Sequence, residues 1–297
     1  MTPPLTRALR RTACSALAGL LAIALTTLTA LTTGATAVTA SSDPAPRLAA
    51  RDASMKVATF NILGSQHTRG PGGRGPGPAR ARITSDLVEA KRLDIVGLQE
   101  VQADQLLVLK RRLDGYRLWP AYQLGRGTLR LQIAWRERAF DLLDRGTLVT
   151  KFAGRNRPVP WVLLRHRASG RPMYVVDIHN SPRGRELERD RALGRQIALL
   201  QRLRSTGRTV LVLGDLNERK EAFCKVVGRT DLVAANGGWV SRRRCTPPVG
   251  GLRVDWIFGR GLLEFSDYVV DDGRLVSRAS DHRMIRATLT LRRKSGR

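Results

Sequence analysis

The sequence predicts an α/β domain in which two sheets face each other and helices lie outside. Three observations carry this. From Lys56 onward, strand-like runs alternate with charged stretches of helical spacing. No internal repeat and no second linker follow residue 55. Apolar strands end, one after another, in Asn, Glu, His or Asp. Hydrophobic residues make up 42% of the 297, enough for a sizeable core, which excludes global disorder.

The elements follow in order. KVATFNIL, 56–63, alternates as a half-buried strand does. RGPGGRGPGPAR, 69–80, is a loop, because Gly and Pro break both periods. Residues 81–92 set Ile83, Leu87 and Val88 at helical spacing, and DIVGLQEV after them is a buried strand. A second helix spans 103–113, with Leu106, Leu107 and Leu109 to Leu113 on its apolar side. Four strands follow at 129–136, 139–149, 159–166 and 172–178; Pro158 and Pro160 confine the third to a late start or an edge. Residues 183–204 form a long amphipathic helix carrying Leu187, Ala192, Leu193, Ile197, Leu200 and Leu203. TVLVLGDLN is a buried strand ending in a polar turn, and VDWIFG, 262–270 and 283–291 supply the last strands.

Ahead of this domain, residues 1–40 have the pattern of a cleaved export signal. Arg7, Arg10 and Arg11 precede an uncharged run from Ala13 to Leu31, and small residues then offer cleavage sites at 35–37 and 38–40. The apolar run is short and diluted by Thr, below the ~20 residues of a membrane span. The residues after Arg10-Arg11 match a twin-arginine signal poorly, so the general secretory route is expected. Residues 41–54 are a linker and 55–297 the catalytic domain. Cys14 leaves with the signal, so Cys224 and Cys245 remain as a disulfide, two free thiols or part of a metal site.

The net charge of +27 implies attraction to polyanions such as nucleic acid or anionic lipid. Arg supplies 45 of the 52 basic residues, so the base composition of the source genome is an equal explanation.

The polar strand ends are TFN at Asn61, LQE at Glu100, IHN at His179 and Asn180, GDLN at Asp215 and Asn217, and VDW at Asp255; SDH at 280–282 precedes the last strand. One such end is ordinarily a turn or cap. Six, on different strands, gather where a rigid sheet presents its loops, the usual place for catalytic groups. Oxygen donors from Glu100, Asp215 and Asp281, with amides from Asn61 or Asn217, suit Mg²⁺, Mn²⁺ or Ca²⁺ rather than zinc. His179 and His282 are available as base and proton donor, and Asp255 as the carboxylate orienting His282. That set fits phosphodiester hydrolysis. His67 and His166 read as surface residues.

This pattern resembles the endonuclease/exonuclease/phosphatase superfamily, with the deoxyribonuclease I-like fold, over about 56–291. The resemblance implies a four-layer α/β sandwich of two facing mixed sheets with outer helices. It implies that Asn61, Glu100 and Asp281 bind metal, that Asp215 and Asn217 position water and phosphate, and that His282, oriented by Asp255, is base or phosphate contact. It aligns His179 with a second catalytic histidine and places Cys224 and Cys245 where such proteins carry a bridge. One departure stands out. The Glu that supports the histidine matching His179 in such enzymes falls in PAYQLGR, 120–126, where this chain has Tyr122 or Gln123.

The first functional reading is a secreted nuclease acting with Mg²⁺, monomeric and without an obligate protein partner. Arg126 and Asn180 are its candidate phosphate contacts, and Arg130 and Arg183 lie near the same segments. The second is a phospholipid (sphingomyelinase-like) or small-molecule phosphoesterase; aromatics are only 5%, and Trp239 after Gly237-Gly238 is the sole apolar anchor that stands out. The third is a non-catalytic polyanion-binding protein, against which two retained histidines argue.

Overall fold

A computed structural model of the chain describes residues 52–68, 74–249 and 253–292, all within the compact unit Arg47–Arg297. The expected export signal, and the linker as far as residue 51, lie outside the described residues.

Two mixed six-stranded sheets face each other. One comprises β1 (Ala53–Asn61), β2 (Ile95–Gln99), β3 (Tyr116–Trp119), β4 (Leu131–Arg136), β13 (Leu263–Asp271) and β14 (Met284–Leu291), in the order β13-β14-β1-β2-β4-β3. The other comprises β5 (Phe140–Phe152), β6 (Arg155–His166), β7 (Pro172–His179), β8 (Thr209–Asp215), β9 (Val233–Ala234) and β12 (Asp255–Arg260), ordered β5-β6-β7-β8-β12-β9. A small hairpin pairs β10 (Trp239–Val240) with β11 (Cys245–Thr246).

Side-chain alternation along the strands sorts the core into three layers. Met55 and Val57 of β1 point inward, meeting Val175, Leu211 and Leu213 of the facing sheet. Ala58 and Phe60 point outward, under α1 (Gly77–Ala90), α2 (Ala103–Arg112) and α5 (Arg274–Ala279), with Leu87, Leu106 and Val276 in that layer. Val210 and Val212 of β8 pack outward with Leu193, Ile197 and Leu200 of α3 (Glu186–Ser205) and with Phe223 of α4 (Lys220–Thr230). The result is the four-layer α/β sandwich that the family resemblance implied.

The boundaries differ from the expected ones in physically informative places. β1 starts at Ala53, paired with Leu291, so the last two linker positions belong to the sheet. α1 starts at Gly77 inside the expected loop, because Pro78 falls in the first helical turn, where its missing N–H costs nothing. β6 starts early, at Arg155, despite its prolines. Pro158 and Pro160 pair only with β5, while β7 joins from Trp161 onward, so the prolines sit on a free edge. Leu107 and Leu187 are exposed, off the apolar faces assigned to them. β3, α4 and α5 were not anticipated. Cys224 of α4 and Cys245 of β11 form a disulfide, Cα–Cα 5.8 Å.

Candidate active site

The polar strand ends converge at one end of the sandwich because the register brings them side by side. His179 pairs with Asp215 across the parallel β7–β8 ladder, and Asp255 pairs with Asp215 across β8–β12. On the facing sheet, Asn61 closes β1 and Glu100 follows β2. Gly214 makes the close approach possible: a Cβ there would lie 2.2 Å from the Ile178 carbonyl oxygen, at φ +155°. Glu100 (φ 63°) and Asn217 (φ 52°) both turn out of their strands in the left-handed region. Asn tolerates that region; for Glu it is a strained conformation, of a kind that clusters at functional sites.

Asp215 is fully buried. Its Oδ2 accepts from Asn61 Nδ2 at 3.1 Å and lies 3.4 Å from His179 Nε2 and 3.7 Å from His282 Nε2. Its Oδ1 accepts from the Asn217 backbone N–H at 2.9 Å. Burial alone would raise this carboxyl; the His179 hydrogen bond and charge, the His282 charge and Asn61 outweigh it and hold it below its ordinary value. His282 Nδ1 faces both Asp255 oxygens, at 3.1 and 3.0 Å. Burial would lower the His282 imidazole, but Asp255, then Asp215 and Asp281, push it up to about 10. Burial, then the Asp215 charge, push Asp255 up to about 6. The mutual attraction favours a carboxylate paired with an imidazolium. The SDH turn is held in place by Ser280 Oγ, which donates to the Asn61 carbonyl at 2.6 Å and accepts from His282 N–H at 3.1 Å.

Asp215, His179 and His282 line the wall of a cleft of about 600 Å³, together with Glu100, Asn217, Asp281, Phe152, Arg130 and Arg157 among others. Glu100 accepts from Asn61 Nδ2 (3.1 Å) and Gly64 N–H (3.0 Å). Burial would raise its carboxyl, but the charge of His179, the Gly64 N–H, Asn61 and His67 hold it low.

The donor set fits a divalent cation. Asn61 was assigned to metal through its amide oxygen, yet that oxygen accepts from Leu63 N–H at 3.0 Å while the NH₂ faces Glu100 and Asp215. The NH₂ of Asn61 thus braces both carboxylates, and its oxygen keeps one lone pair beyond the Leu63 N–H. Asp215, Asp255 and His282 bring ligand atoms within 4.8 Å of one another, but Asp255 and His282 are already hydrogen-bonded to each other. The cleft-lining carboxylates of Glu100 and Asp281 remain the hard oxygen donors that suit an ion of the Mg²⁺ type.

Further corrections concern the phosphate contacts. Asn180 is buried, its amide exchanging two hydrogen bonds with Gln196 of α3 (3.2 and 2.7 Å), and its carbonyl accepts from Asn217 Nδ2 at 2.8 Å. It braces Asn217 and is absent from the cleft lining. Arg126 is exposed on a short 3-10 turn, Arg126–Thr128, and does not line the cleft either; Arg130 and Arg157 do. The supporting residue expected for His179 is not Tyr122, which donates to the Ala103 carbonyl at 3.2 Å, nor the exposed Gln123. Phe152 packs against the His179 ring instead, centroids 4.6 Å apart. His67, read as a surface residue, is exposed but stands in the cleft lining, 3.7 Å from Glu100.

Two buried groups escaped the sequence reading. Asp177, in the middle of β7, accepts from Gln99 Nε2 at 2.6 Å, and Gln99 also donates to Thr59 Oγ1 at 3.0 Å. Burial pushes the Asp177 carboxyl well above the usual range. Arg80 of α1 donates to the carbonyls of Ile62, Leu63 and Gly64, holding the loop whose Gly64 N–H meets Glu100. An acid inside the apolar run VVDIH was the available signal for the first; Arg80 looks like any helix-surface arginine.

A carboxylate flanked by two imidazoles, one of them paired with a second carboxylate, defines a site for hydrolysing phosphoric esters. Residues 58–282 match the model of the Endonuclease/Exonuclease/phosphatase family, and the chain belongs to that family. It is thereby a phosphoric ester hydrolase, in a family whose enzymes are generally divalent-metal dependent. Its fold is similar to that of a family protein from Bacteroides thetaiotaomicron, 19% identical, TM-score 0.65, covering 82% of this chain and 99% of that one. It is also similar to the mannosyl-6-phosphatase of Bacteroides thetaiotaomicron VPI-5482 (18% identical, TM-score 0.63, 79% and 99% covered). A third likeness is to D. rerio TDP2 complexed with single strand DNA product (18% identical, TM-score 0.61, 80% and 98% covered). No curated protein matches the chain by sequence.

Proposed function

We propose that this chain is an exported, Mg²⁺-dependent phosphodiesterase that cuts nucleic acid, with residues 1–40 removed on export and 55–297 acting as the catalytic domain. The observation that carries the reading is the buried Asp215 carboxylate between two imidazoles, on the wall of a cleft that also presents Arg74, Arg130 and Arg157. Structural relatives act on substrates as different as a sugar phosphate and a DNA strand, so the fold does not choose between them. The cleft arginines favour a polyanion.

In this mechanism Asp215, ionised and hydrogen-bonded on both oxygens, accepts a proton from the attacking water. Asn61 and Asn217 fix its orientation. His282, an imidazolium held by Asp255, donates through Nε2 to a phosphoryl oxygen and stabilises the charge that develops there. His179, on the other side of Asp215, donates to a further oxygen. Glu100 and Asp281 would hold the metal, which when bound neutralises charge on the phosphoryl group.

The test is to incubate the secreted protein with plasmid DNA, RNA, sphingomyelin vesicles and bis(p-nitrophenyl) phosphate, in Mg²⁺ or EDTA. Nucleic-acid cleavage is expected, abolished by EDTA and lowered ~10²-fold or more in His282→Ala. Turnover that persists in EDTA would sink the metal assignment, and hydrolysis of the lipid alone would retire the nuclease. The N-terminal sequence of protein recovered from culture medium reports the export reading, which predicts a start close after residue 37 or 40.

A further inference from the structure

Several surface arginines are neutralised by ion pairs, among them Arg112 with Asp86, Arg117 with Glu137, Arg165 with Asp141 and Arg204 with Asp231. Arg130 and Arg157, on the cleft wall, have no carboxylate within ion-pair distance among the described residues, although both are partly withdrawn from water. Two guanidiniums in a partly desolvated groove, with the Glu100 charge offsetting only part of the cost at Arg130, repel each other and are costly to hold there. Burial is the first cost to the Arg157 charge, and the fields of Arg130 and Arg155 both add to it.

The fold nevertheless fixes them. Arg157 stands on the two-stranded part of the β5–β6 hairpin and donates to the Gly127 carbonyl at 2.8 Å; its Nε is buried without a hydrogen-bond partner. The hairpin tip is pinned beside the catalytic histidine, with Ala153 N–H on Ser181 Oγ at 3.0 Å and Gly154 N–H on Glu188 at 2.8 Å. Arg130 donates to Gln66 at 3.1 Å across the cleft mouth. Phe152, at the same hairpin tip, packs on His179 and adds an apolar face to the cleft lining that holds both cations. Held cations flanking a phosphoester site are matched by an anion that arrives with the substrate.

We propose that Arg130 and Arg157 form a second anion subsite that takes the phosphate neighbouring the scissile one in a polynucleotide, with Phe152 facing the intervening nucleoside. This rests on the nuclease reading but is tested apart from turnover. In EDTA, calorimetric titration of the full mature chain with thymidine 3′,5′-bisphosphate and thymidine 5′-monophosphate is expected to show at least tenfold tighter binding of the bisphosphate. Arg157→Gln and Arg130→Gln should each reduce that ratio at least threefold, while Arg112→Gln, at a paired surface position, leaves it intact. Arg157→Lys, which keeps the charge and loses the bidentate fork, should fall between. With an oligonucleotide substrate, each Gln variant should also lower the slope of log kcat/KM against log salt by about 1. A bisphosphate preference absent from the parent chain, or unchanged in both Gln variants with native melting curves, would overturn the subsite. A preference that stands while no nucleic acid is cut would keep the subsite and reject the nuclease.

Discussion

Asp255 and His282 place a proton between two groups that are both largely withdrawn from water, and this has a measurable thermodynamic sign. In the metal-free protein His282 is raised from 6.5 to about 10, so the folded state binds a proton that the unfolded chain has released. Its contribution to stability is complete below pH 6.5 and is lost as pH rises through 10. Thermal melts in EDTA should therefore fall between pH 7 and pH 10, and His282→Ala should flatten that limb. An equal slope in parent and variant would reject the imidazolium. Asp177 makes the opposite case, a carboxyl held neutral. With Asp177 Oδ2 and Gln99 Oε1 both lacking partners, a protonated carboxyl is replaceable by an amide. Asp177→Asn should unfold in urea at nearly the parental concentration, whereas Asp177→Leu leaves Gln99 unsatisfied and costs about 1–3 kcal/mol. Equal losses in the two variants would show that the charge is used after all.

At the scale of elements, Arg80 shows how a helix shapes a site it does not enter. Its guanidinium and Gln105 Nε2 both serve the Leu63 carbonyl, so α1 and α2 together hold the loop after β1. Arg80→Met removes the donors from three buried carbonyls and frees Gly64 N–H from its aim at Glu100. We expect a weaker apparent affinity for Mg²⁺, read as a higher metal concentration at half-maximal activity, with kcat at saturating metal reduced far less. A loss confined to kcat would reject this role. The strands and their polar ends were legible because alternation and a buried polar terminus are local signals. Register then did what no local signal could, setting His179, Asp215 and Asp255 on adjacent strands. Arg126 and Asn180 misled for the same reason: proximity in sequence to the site said nothing about where a loop or an α3-facing amide points. The β10–β11 hairpin was missed because two-residue strands carry no local period and are held by α4 and the disulfide.

For the whole molecule, the bridge from Cys224 to Cys245 joins those two missed elements. β10 and β11 contribute two residues each, too little to persist alone, and the hairpin meets α4 through Val240, beside Gly228, while Trp239 stays exposed. A loop of 21 residues closed by a disulfide constrains the unfolded chain by about 3 kcal/mol. At about 2–4 °C per kcal/mol for a domain of this size, reduction should lower Tm by roughly 6–12 °C, and Cys224→Ser with Cys245→Ser should reproduce the fall. Neither cysteine lines the catalytic cleft, so phosphodiester turnover at 25 °C should be retained in the reduced protein. An unchanged melt would mean that packing on α4 holds the hairpin without the bridge. Lost turnover below the reduced Tm would mean that the hairpin reaches the substrate.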